Sequence, residues 1–285
     1  MGFITTKQHT FHYHHYEGKG PDIILLHGLA SNLYIWNLVA PMLTKEFNVY
    51  SIDQRGHGLS DKPETGYDFE SISDDLHLIC SKLMINNPII VGHSWGSNVV
   101  IETLARDTNN YYKGGVLVDG GVLNIVKDNK SSWDEISLRL APPILTHLSL
   151  EQLLKRVKEN RQNDWNKGFE DVLINSFDVI DDHIQPRLSR ENHMKILFEI
   201  WNQDIMHSLE SISAPVLILP VSSDHTESES PNMHGVSKKE AVAIAQTILT
   251  QSKVQWLKNT IHDVPIHNPN LVINAILEAK PTLFY

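Results

Sequence analysis

The sequence has a single cysteine, Cys80, among its 285 residues. One cysteine excludes a disulfide within the chain and a zinc site built on cysteine ligands. Proteins without disulfides are typical of reducing compartments. Residues Met1–Tyr16 also lack the basic start and the apolar run of an export signal. We therefore expect a cytoplasmic protein.

Positive charge and long apolar runs are scarce as well. The chain has 24 Lys and Arg against 34 Asp and Glu, a formal net charge of -10. Nucleic acids and anionic membranes bind basic surfaces, so neither is an expected partner. The longest apolar clusters, Ile23–Leu26 and Val216–Val221, are much shorter than the roughly 18 residues of a membrane span. We expect no membrane span.

Short apolar runs do alternate with helix-length amphipathic segments. The strands that this pattern predicts are Ile23–Leu26, Val49–Ile52, Ile89–Val91, Val116–Val118, Val216–Leu219 and Val254–Leu257, after an antiparallel edge strand at His9–Tyr16. The helices that it predicts lie at about 33–45, 69–85, 95–107, 237–251 and 269–279. Apolar strands separated by helices indicate βαβ units, and these predict a mostly parallel sheet covered by helices on both faces.

The alternation is interrupted between about Val122 and Ser213. Helical periodicity is present there at 131–140, 149–163, 166–177 and 191–202, and no strand is predicted. We therefore expect two domains: a core formed by residues 1–121 and 214–285, and a helical cap (lid) formed by residues 122–213.

The motif Gly92-His93-Ser94-Trp95-Gly96 follows a predicted strand and precedes a predicted helix. In this context Gly-x-Ser-x-Gly is typical of a sharp strand-to-helix turn that exposes a nucleophilic serine. Side chains in place of the two glycines would collide with neighbouring backbone. We therefore predict Ser94 as a nucleophile.

A serine hydroxyl needs a base to take its proton, and the base needs an acid to orient it. His262, just after the last predicted strand, is the candidate base. Asp224, in the turn after the strand that begins at Val216, is the candidate acid, and Asp119 at the end of the preceding strand is its rival. The chain order Ser, Asp, His is that of the hydrolases that carry this motif.

The developing negative charge needs two preset backbone donors, each contributing about 3–4 kcal/mol to the transition state. The N–H of Trp95 begins the helix after Ser94. The segment His27-Gly28-Leu29-Ala30-Ser31 follows the first parallel strand, and Gly28 permits close backbone approach. We predict an oxyanion hole formed by Leu29 and Trp95.

These motifs together resemble the α/β-hydrolase superfamily. The resemblance rests on His27-Gly28, the segment Asp53-Gln54-Arg55-Gly56-His57-Gly58-Leu59-Ser60, Gly92–Gly96 and His262. It implies an α/β fold with an eight-stranded, mostly parallel sheet and a helical lid inserted after the sixth strand. It also implies that Ser94, His262 and Asp224 act as nucleophile, base and acid. The acid departs from the family pattern, since no glycine precedes Asp224 in its turn.

The resemblance also limits the reaction. Epoxide hydrolases and haloalkane dehalogenases of this superfamily carry aspartate at the position of Ser94. Proline iminopeptidases carry His-Gly-Gly-Pro-Gly where this chain has His27–Ser31. The expected activity is that of a carboxylesterase-like serine hydrolase. A carbon–carbon bond hydrolase and a slow-turnover small-molecule receptor remain alternatives, because both keep the same residues.

The expected partner is a small to medium ester substrate, with no cofactor and no metal, and the chain is expected to be a monomer or a homodimer. Candidate substrate-binding residues lie beside the motifs or on apolar faces of the cap. They are His27, His93, Leu138, Ile144, Phe169, Phe177, Trp201 and Val264.

Overall fold

The computed structural model describes residues 1–122, 132–161, 164–222 and 236–284. Its strands are β1 (Gly2–Thr5), β2 (Thr10–Tyr16), β3 (Asp22–Leu26), β4 (Asn48–Ile52), β5 (Ile89–His93), β6 (Gly114–Val118), β7 (Phe177–Ile180), β8 (His183–Pro186), β9 (Val216–Leu219), β10 (Val221–Ser222), β11 (Ser252–Val254) and β12 (Leu257–Lys258).

The α-helices are α1 (Ala40–Leu43), α2 (Phe69–Leu83), α3 (Trp95–Ala105), α4 (Trp133–Leu140), α5 (Leu150–Arg161), α6 (Lys167–Ile174), α7 (Arg190–Asn202), α8 (Ile205–Ser211), α9 (Lys238–Ile248), α10 (Val264–His267) and α11 (Pro269–Leu283). A 3₁₀ helix covers Leu33–Trp36. Within the described ranges, none of the helices has the length and apolar character needed to cross a bilayer.

The main sheet has eight strands in the order β1-β2-β4-β3-β5-β6-β9-β11. The β1–β2 and β2–β4 pairs are antiparallel, and the other pairs are parallel. The prediction of an eight-stranded, mostly parallel sheet is confirmed. The carboxyl ends of β3, β5 and β6 meet at one edge, where ligands bind in open α/β sheets.

The sheet is buried on both faces. Ile23 and Leu25 of β3 belong to one apolar cluster, whereas Ile24 and Leu26 belong to the other. Alternate residues of a strand point to opposite faces, so each face of β3 needs its own cover. This explains why the central strands are apolar throughout rather than alternating with polar residues.

Two strand predictions were wrong in detail. The segment His9–Tyr16 was predicted to be an edge strand. It corresponds to β2, which lies inside the sheet because β1 pairs with its outer side. β1 has four residues and starts with glycine, which is too short to give a hydrophobic period. The strand predicted at Val254–Leu257 is split into β11 and β12, which pair with β9 and β10. Pro220 separates those two partners and has no N–H for the ladder.

The segment between β6 and β9 was predicted to be helical without strands, and this prediction was wrong. β7 and β8 form an antiparallel hairpin that pairs Ile180 with His183. Asp181 and Asp182 connect them with positive φ values of 47° and 62°. Two residues with positive φ form the turn that matches the twist of a hairpin, although Asn-Gly is its usual sequence. The predicted helix at 166–177 therefore ends at Ile174.

Helix α8 packs against α3. The amide of Asn98 on α3 donates to Gln203 Oε1 at 2.6 Å, and Gln203 Nε2 donates to Glu102 Oε1 at 3.0 Å. Ser208 Oγ donates to the same carboxylate oxygen at 2.5 Å. These groups are buried, so each bond prevents the cost of leaving a polar group without a partner.

Candidate active site

Ser94 stands between β5 and α3 in a strained turn. Its φ is 54° and its ψ is -122°, a region that residues with a side chain rarely adopt. A Cβ on Gly92 would lie 2.1 Å from the carbonyl oxygen of Gly96. The turn therefore requires glycine at position 92, as the motif predicted. Its shape projects the Ser94 side chain at the carboxyl edge of the sheet.

His262 is the histidine that the structure brings to Ser94. Its Nε2 lies 2.9 Å from Ser94 Oγ, and its Nδ1 lies 2.7 Å from Asp119 Oδ2. An ionised carboxylate only accepts hydrogen bonds, so the proton of the neutral ring belongs on Nδ1. Nε2 is then left to accept the hydroxyl proton of Ser94. This is the geometry in which an imidazole acts as a base toward serine.

Asp119 directly follows β6 and is buried. Besides His262, it accepts hydrogen bonds at Oδ1 from the N–H of Val221 at 3.0 Å and from Lys238 Nζ at 2.9 Å. Burial alone would raise the pKa of the Asp119 carboxyl. The hydrogen bond from His262 and the charge of Lys238 outweigh burial and lower that pKa to about 2. Asp119 is therefore an anion at neutral pH.

The two aspartates considered from the sequence have different outcomes. Asp119, the rival, is the carboxylate in contact with His262. Asp224, the first choice, lies outside the described residues. Position after a strand did not discriminate between them, because both follow neighbouring parallel strands.

Burial lowers the pKa of His262, but the hydrogen bond and the charge of Asp119 raise it more. The net result is a pKa above the ordinary value of 6.5. The side chain is 53% exposed, so a substrate and water can reach its ring. Asp119 thus makes His262 a stronger proton acceptor than a free histidine.

The two candidate oxyanion donors belong to Trp95, the residue after Ser94, and to Leu29 in the loop that follows β3. In the part of the chain that the structure describes, the N–H groups of Leu29 and Trp95 have no hydrogen-bond partner. A Cβ on Gly28 would lie 2.9 Å from Cβ of Ser94, so this loop approaches the serine closely. Two N–H groups without partners beside a nucleophile can bind a developing negative charge.

His27 and His93, both predicted to contact substrate, are buried instead and support the backbone. His27 Nδ1 donates to the carbonyl of Gly28 at 2.8 Å, and its Nε2 accepts from the N–H of Gln54 at 3.0 Å. His93 Nε2 donates to the carbonyl of His262 at 2.8 Å. Burial, reinforced by the neighbouring His262, lowers the pKa of His93 to about 4. The two neutral rings hold the loops that carry Leu29 and His262.

His57 is a residue of the site that the sequence argument did not single out. It lies within the glycine-rich segment 53–60, where only the overall motif was recognised. Its ring stacks on Trp95 with centroids 5.3 Å apart, and its Nε2 accepts from the N–H of Ala30 at 3.2 Å. Its Nδ1 donates to the carbonyl of Arg55 at 2.9 Å. The ring therefore joins the two segments that carry the candidate oxyanion donors.

Asp53 anchors the same segment. It accepts from the N–H groups of Leu33 at 2.8 Å and Leu59 at 3.0 Å, and from His12 Nδ1 at 2.7 Å. A Cβ on Gly58 would lie 2.1 Å from this carboxylate. The aspartate and the glycine of this motif are thus structural requirements of one buried turn.

Two contacts from the segment that joins β6 to β9 reach the loops of the site. Arg161 Nη2 lies 2.6 Å from Asp263 Oδ2, next to His262 in the chain. Asn32 Nδ2 donates to the carbonyl of Val172 at 2.9 Å. Helices α5 and α6 therefore contact the loops of His262 and Leu29.

The apolar side chains that were predicted to bind substrate do not all lie at one place. Leu138 and Ile144 are 83% and 69% exposed, so their side chains face solvent rather than a pocket. Phe169 and Val264 are buried in the apolar core. Trp201 packs against Trp133 and Phe198. Helical periodicity identified apolar positions but not what they contact.

Phe177 does line a cavity, of about 150 Å³. Ala30, Ser31, His57 and Gly58, from the loops that follow β3 and β4, form one side of this cavity. Its other side is lined by residues of the segment that joins β6 to β9, namely Pro142, Pro143, Leu145, Ser176, Phe177, Pro186, Arg187, Leu188, Arg190 and His193. The cavity therefore begins at the loop that carries Leu29.

Comparison with known proteins identifies the family. The profile of the family described as an alpha/beta hydrolase fold matches residues 21–228. The 2-(acetamidomethylene)succinate hydrolase of Mesorhizobium japonicum is 38% identical over 90 residues, which are 32% of this chain and 32% of that protein. A soluble epoxide hydrolase of Corynebacterium sp. is 38% identical over 82 residues, 29% of each chain. These matches span about a third of the length of each relative.

A solved structure extends the likeness to the whole chain. The crystal structure of E-2-(acetamidomethylene)succinate hydrolase superposes with a TM-score of 0.78, over 97% of this chain and 98% of that one, at 22% identity. An identity this low establishes the common fold and leaves the reaction to be argued from the site.

Proposed function

Because the chain belongs to the alpha/beta hydrolase fold family, we propose that it is a serine hydrolase that cleaves small to medium carboxylic esters. The observation that carries the proposal is the continuous chain of contacts Ser94–His262–Asp119, with separations of 2.9 and 2.7 Å. The nucleophile, base and acid of ester hydrolysis need this connection.

The first half of the reaction forms an acyl-enzyme. Ser94 Oγ attacks the carbonyl carbon of the ester while His262 Nε2 takes the hydroxyl proton. The negative charge that develops on the carbonyl oxygen is stabilised by the N–H groups of Leu29 and Trp95. The protonated His262 then gives its proton to the departing alcohol, and the acyl group stays on Ser94.

The second half releases the acid. A water molecule gives a proton to His262 Nε2 and attacks the acyl carbon. The tetrahedral intermediate collapses, Ser94 takes the proton back from His262, and the carboxylic acid leaves. Asp119 remains ionised throughout and stabilises the positive charge that His262 carries twice in the cycle.

The acid in this proposal is Asp119 rather than Asp224. The contact with His262 Nδ1 supports this choice, as do the burial of the carboxylate and its low pKa. A carboxylate in a triad must orient the ring and stay ionised, and Asp119 satisfies both conditions.

The test is hydrolysis of p-nitrophenyl esters with acyl chains of two to twelve carbons by the wild type and by Ser94→Ala. We expect the variant to lose roughly 10⁴-fold to 10⁶-fold in kcat, because removing the nucleophile disables the whole unit. Ser97→Ala is the matched control, since Ser97 Oγ donates to the carbonyl of Gly92 inside the fold. The chain-length profile would also give the size of the acyl site.

Equal rates in the wild type and Ser94→Ala over the whole ester series would overturn the esterase proposal. A carbon–carbon bond hydrolase would then be tested with a vinylogous diketone substrate. A slow receptor would show binding and less than about one turnover per second, the low end of ordinary enzymes.

A further inference from the structure

We propose that the cavity beside the Leu29 loop is a subsite for a carboxylate group of the substrate, bound by Arg187 with Arg190 at its entrance. This deepens the proposed function and rests on it, because the subsite serves a reaction at Ser94. The preferred substrates would be half-esters of dicarboxylic acids. The cleaved ester lies at Ser94, and the free carboxylate extends into the cavity.

The position of the cavity supports this arrangement. Ala30 lines it and directly follows Leu29, whose N–H is a candidate oxyanion donor. His57 also lines it and stacks on Trp95, which carries the other donor. A volume of about 150 Å³ accommodates a group the size of a benzene ring. A chain of a few methylenes ending in a carboxylate therefore fits.

Arg187 lines the cavity and is held by two hydrogen bonds. Its Nε donates to Asp178 Oδ1 at 2.9 Å, and its Nη1 donates to the carbonyl of Asn175 at 3.0 Å. Among the described residues its Nη2 has no hydrogen-bond partner. The side chain is only 15% exposed, whereas that of Asp178 is 54% exposed and shares its charge with water. One edge of the guanidinium is thus oriented by protein, and the remaining donors match a carboxylate.

Arg190 adds a second positive charge to the same cavity. It is exposed at the surface, and its Nη1 donates to the carbonyl of Pro142. It forms no ion pair within the ranges that the structure describes. An arginine bound only to a carbonyl keeps its full charge available, and at the entrance it attracts an anion from solvent.

The charge of the cavity is opposite to that of the chain. Its described lining contains two arginines and no aspartate or glutamate. The sequence as a whole has a net charge of -10. A cavity with this local charge favours an anionic group over a neutral one, and the apolar side chains of Phe177 and Leu188 strengthen the effect by excluding water.

The test compares two esters that differ in a single group. Monoethyl glutarate carries a carboxylate where ethyl pentanoate carries a methyl group, and pH-stat titration follows both. We expect the wild type to prefer the anionic ester in kcat/KM. In Arg187→Met this preference should fall about 20-fold to 100-fold, mainly through KM, because a charge-assisted hydrogen bond is lost. Arg187→Lys should recover part of it, and Arg190→Met should lower it about 3-fold to 10-fold.

Arg156→Met is the matched control. Arg156 is an exposed arginine of α5 outside the cavity lining, so its loss should leave the preference as in the wild type. Thermal melting of each variant shows whether it is folded. A wild type without preference for the anion, or an equal loss toward both esters in Arg187→Met, overturns the subsite.

A binding measurement separates this proposal from the esterase proposal. Calorimetric titration of glutarate into Ser94→Ala needs no turnover. Binding that weakens at least about 10-fold on adding Arg187→Met supports the subsite even if neither ester is hydrolysed. Glutarate binding that is unchanged by this substitution, or no binding at all, overturns it whatever the esterase result.

Discussion

Lys238 Nζ lies 2.9 Å from Oδ1 of Asp119, on the carboxylate whose other oxygen contacts His262. The ammonium group opposes protonation of His262, because two positive charges then face one carboxylate. We expect Lys238→Met to raise the pKa of His262 and to move the acid limb of the kcat/KM profile to higher pH. Lys238→Arg, which keeps the charge, should restore the wild-type limb.

The measurement is kcat/KM for one p-nitrophenyl ester at half-unit steps of pH. Lys82→Met is the control, because it removes an equally charged side chain that is exposed on α2. An acid limb that stays in place in Lys238→Met, with only the plateau lowered, would show that Lys238 acts through folding alone.

The two candidate acids can be separated by their amides. Asp119→Asn removes the charge and favours the wrong tautomer of His262, so kcat should fall roughly 1,000-fold to 10,000-fold. Asp224→Asn is the matched variant and should change kcat by less than about 3-fold. The comparison uses p-nitrophenyl acetate at a pH above the acid limb. The reverse order of the two losses would return the acid role to Asp224.

Two histidines with lowered pKa values should make the protein sensitive to mild acid. Burial lowers the pKa of His193 to about 4, helped by the charge of Arg190, and that of His93 is also about 4. Below about 6.5 the unfolded chain takes up protons that these folded rings refuse. The contribution of these two histidines to stability is therefore complete above pH 6.5 and is lost as the pH falls toward 4.

Urea unfolding at a series of pH values measures this loss. Asp119 contributes in a separate window: its folded pKa of about 2 lies below the ordinary 3.8, so its stabilisation is lost only below pH 3.8. His193→Gln cannot titrate and should lose less stability than the wild type between pH 6.5 and 4.5. Parallel pH profiles for the two proteins would contradict this prediction.

Gly120 packs against the backbone of the nucleophile, Ser94. A Cβ at position 120 would be 2.1 Å from the carbonyl oxygen of Ser94, and a backbone atom cannot move aside as a flexible side chain can. We expect Gly120→Ala to destabilise the fold by about 2 kcal/mol or more and to lower activity by displacing Ser94. Gly2→Ala is the control, because its Cβ would be 3.2 Å from the side chain of Tyr13 rather than close to backbone. Equal urea midpoints for the two variants would refute this account of the turn.

Local signals explain which parts of the site could be predicted. The turn at Ser94 depends on neighbours within five positions, so its glycines are recognisable in the sequence. His262 could be inferred because one strand end leads directly to it. The choice between Asp119 and Asp224 needs a distance between residues far apart in the chain, and only a folded chain supplies that distance.

The segment that joins β6 to β9 shows the same limit. The hairpin of β7 and β8 was missed because Asp181 and Asp182 form its turn without the usual glycine. Leu138 and Ile144 were predicted to bind substrate, but both are exposed, because exposure depends on how α4 and the following loop pack. Arg187 carried no sequence signal at all, since its cavity forms only where the segment between β6 and β9 meets the loops that follow β3 and β4.

By itself the sequence determined the layered α/β sheet, the strained serine turn and the candidate base, because each depends on residue types at short spacing. The tertiary structure decided that Asp119 contacts His262, that the charge of Lys238 lies beside that carboxylate, and which side chains line the cavity. Those features arise from contacts between segments that are distant in the chain. Only the packing of the folded chain brings these segments together.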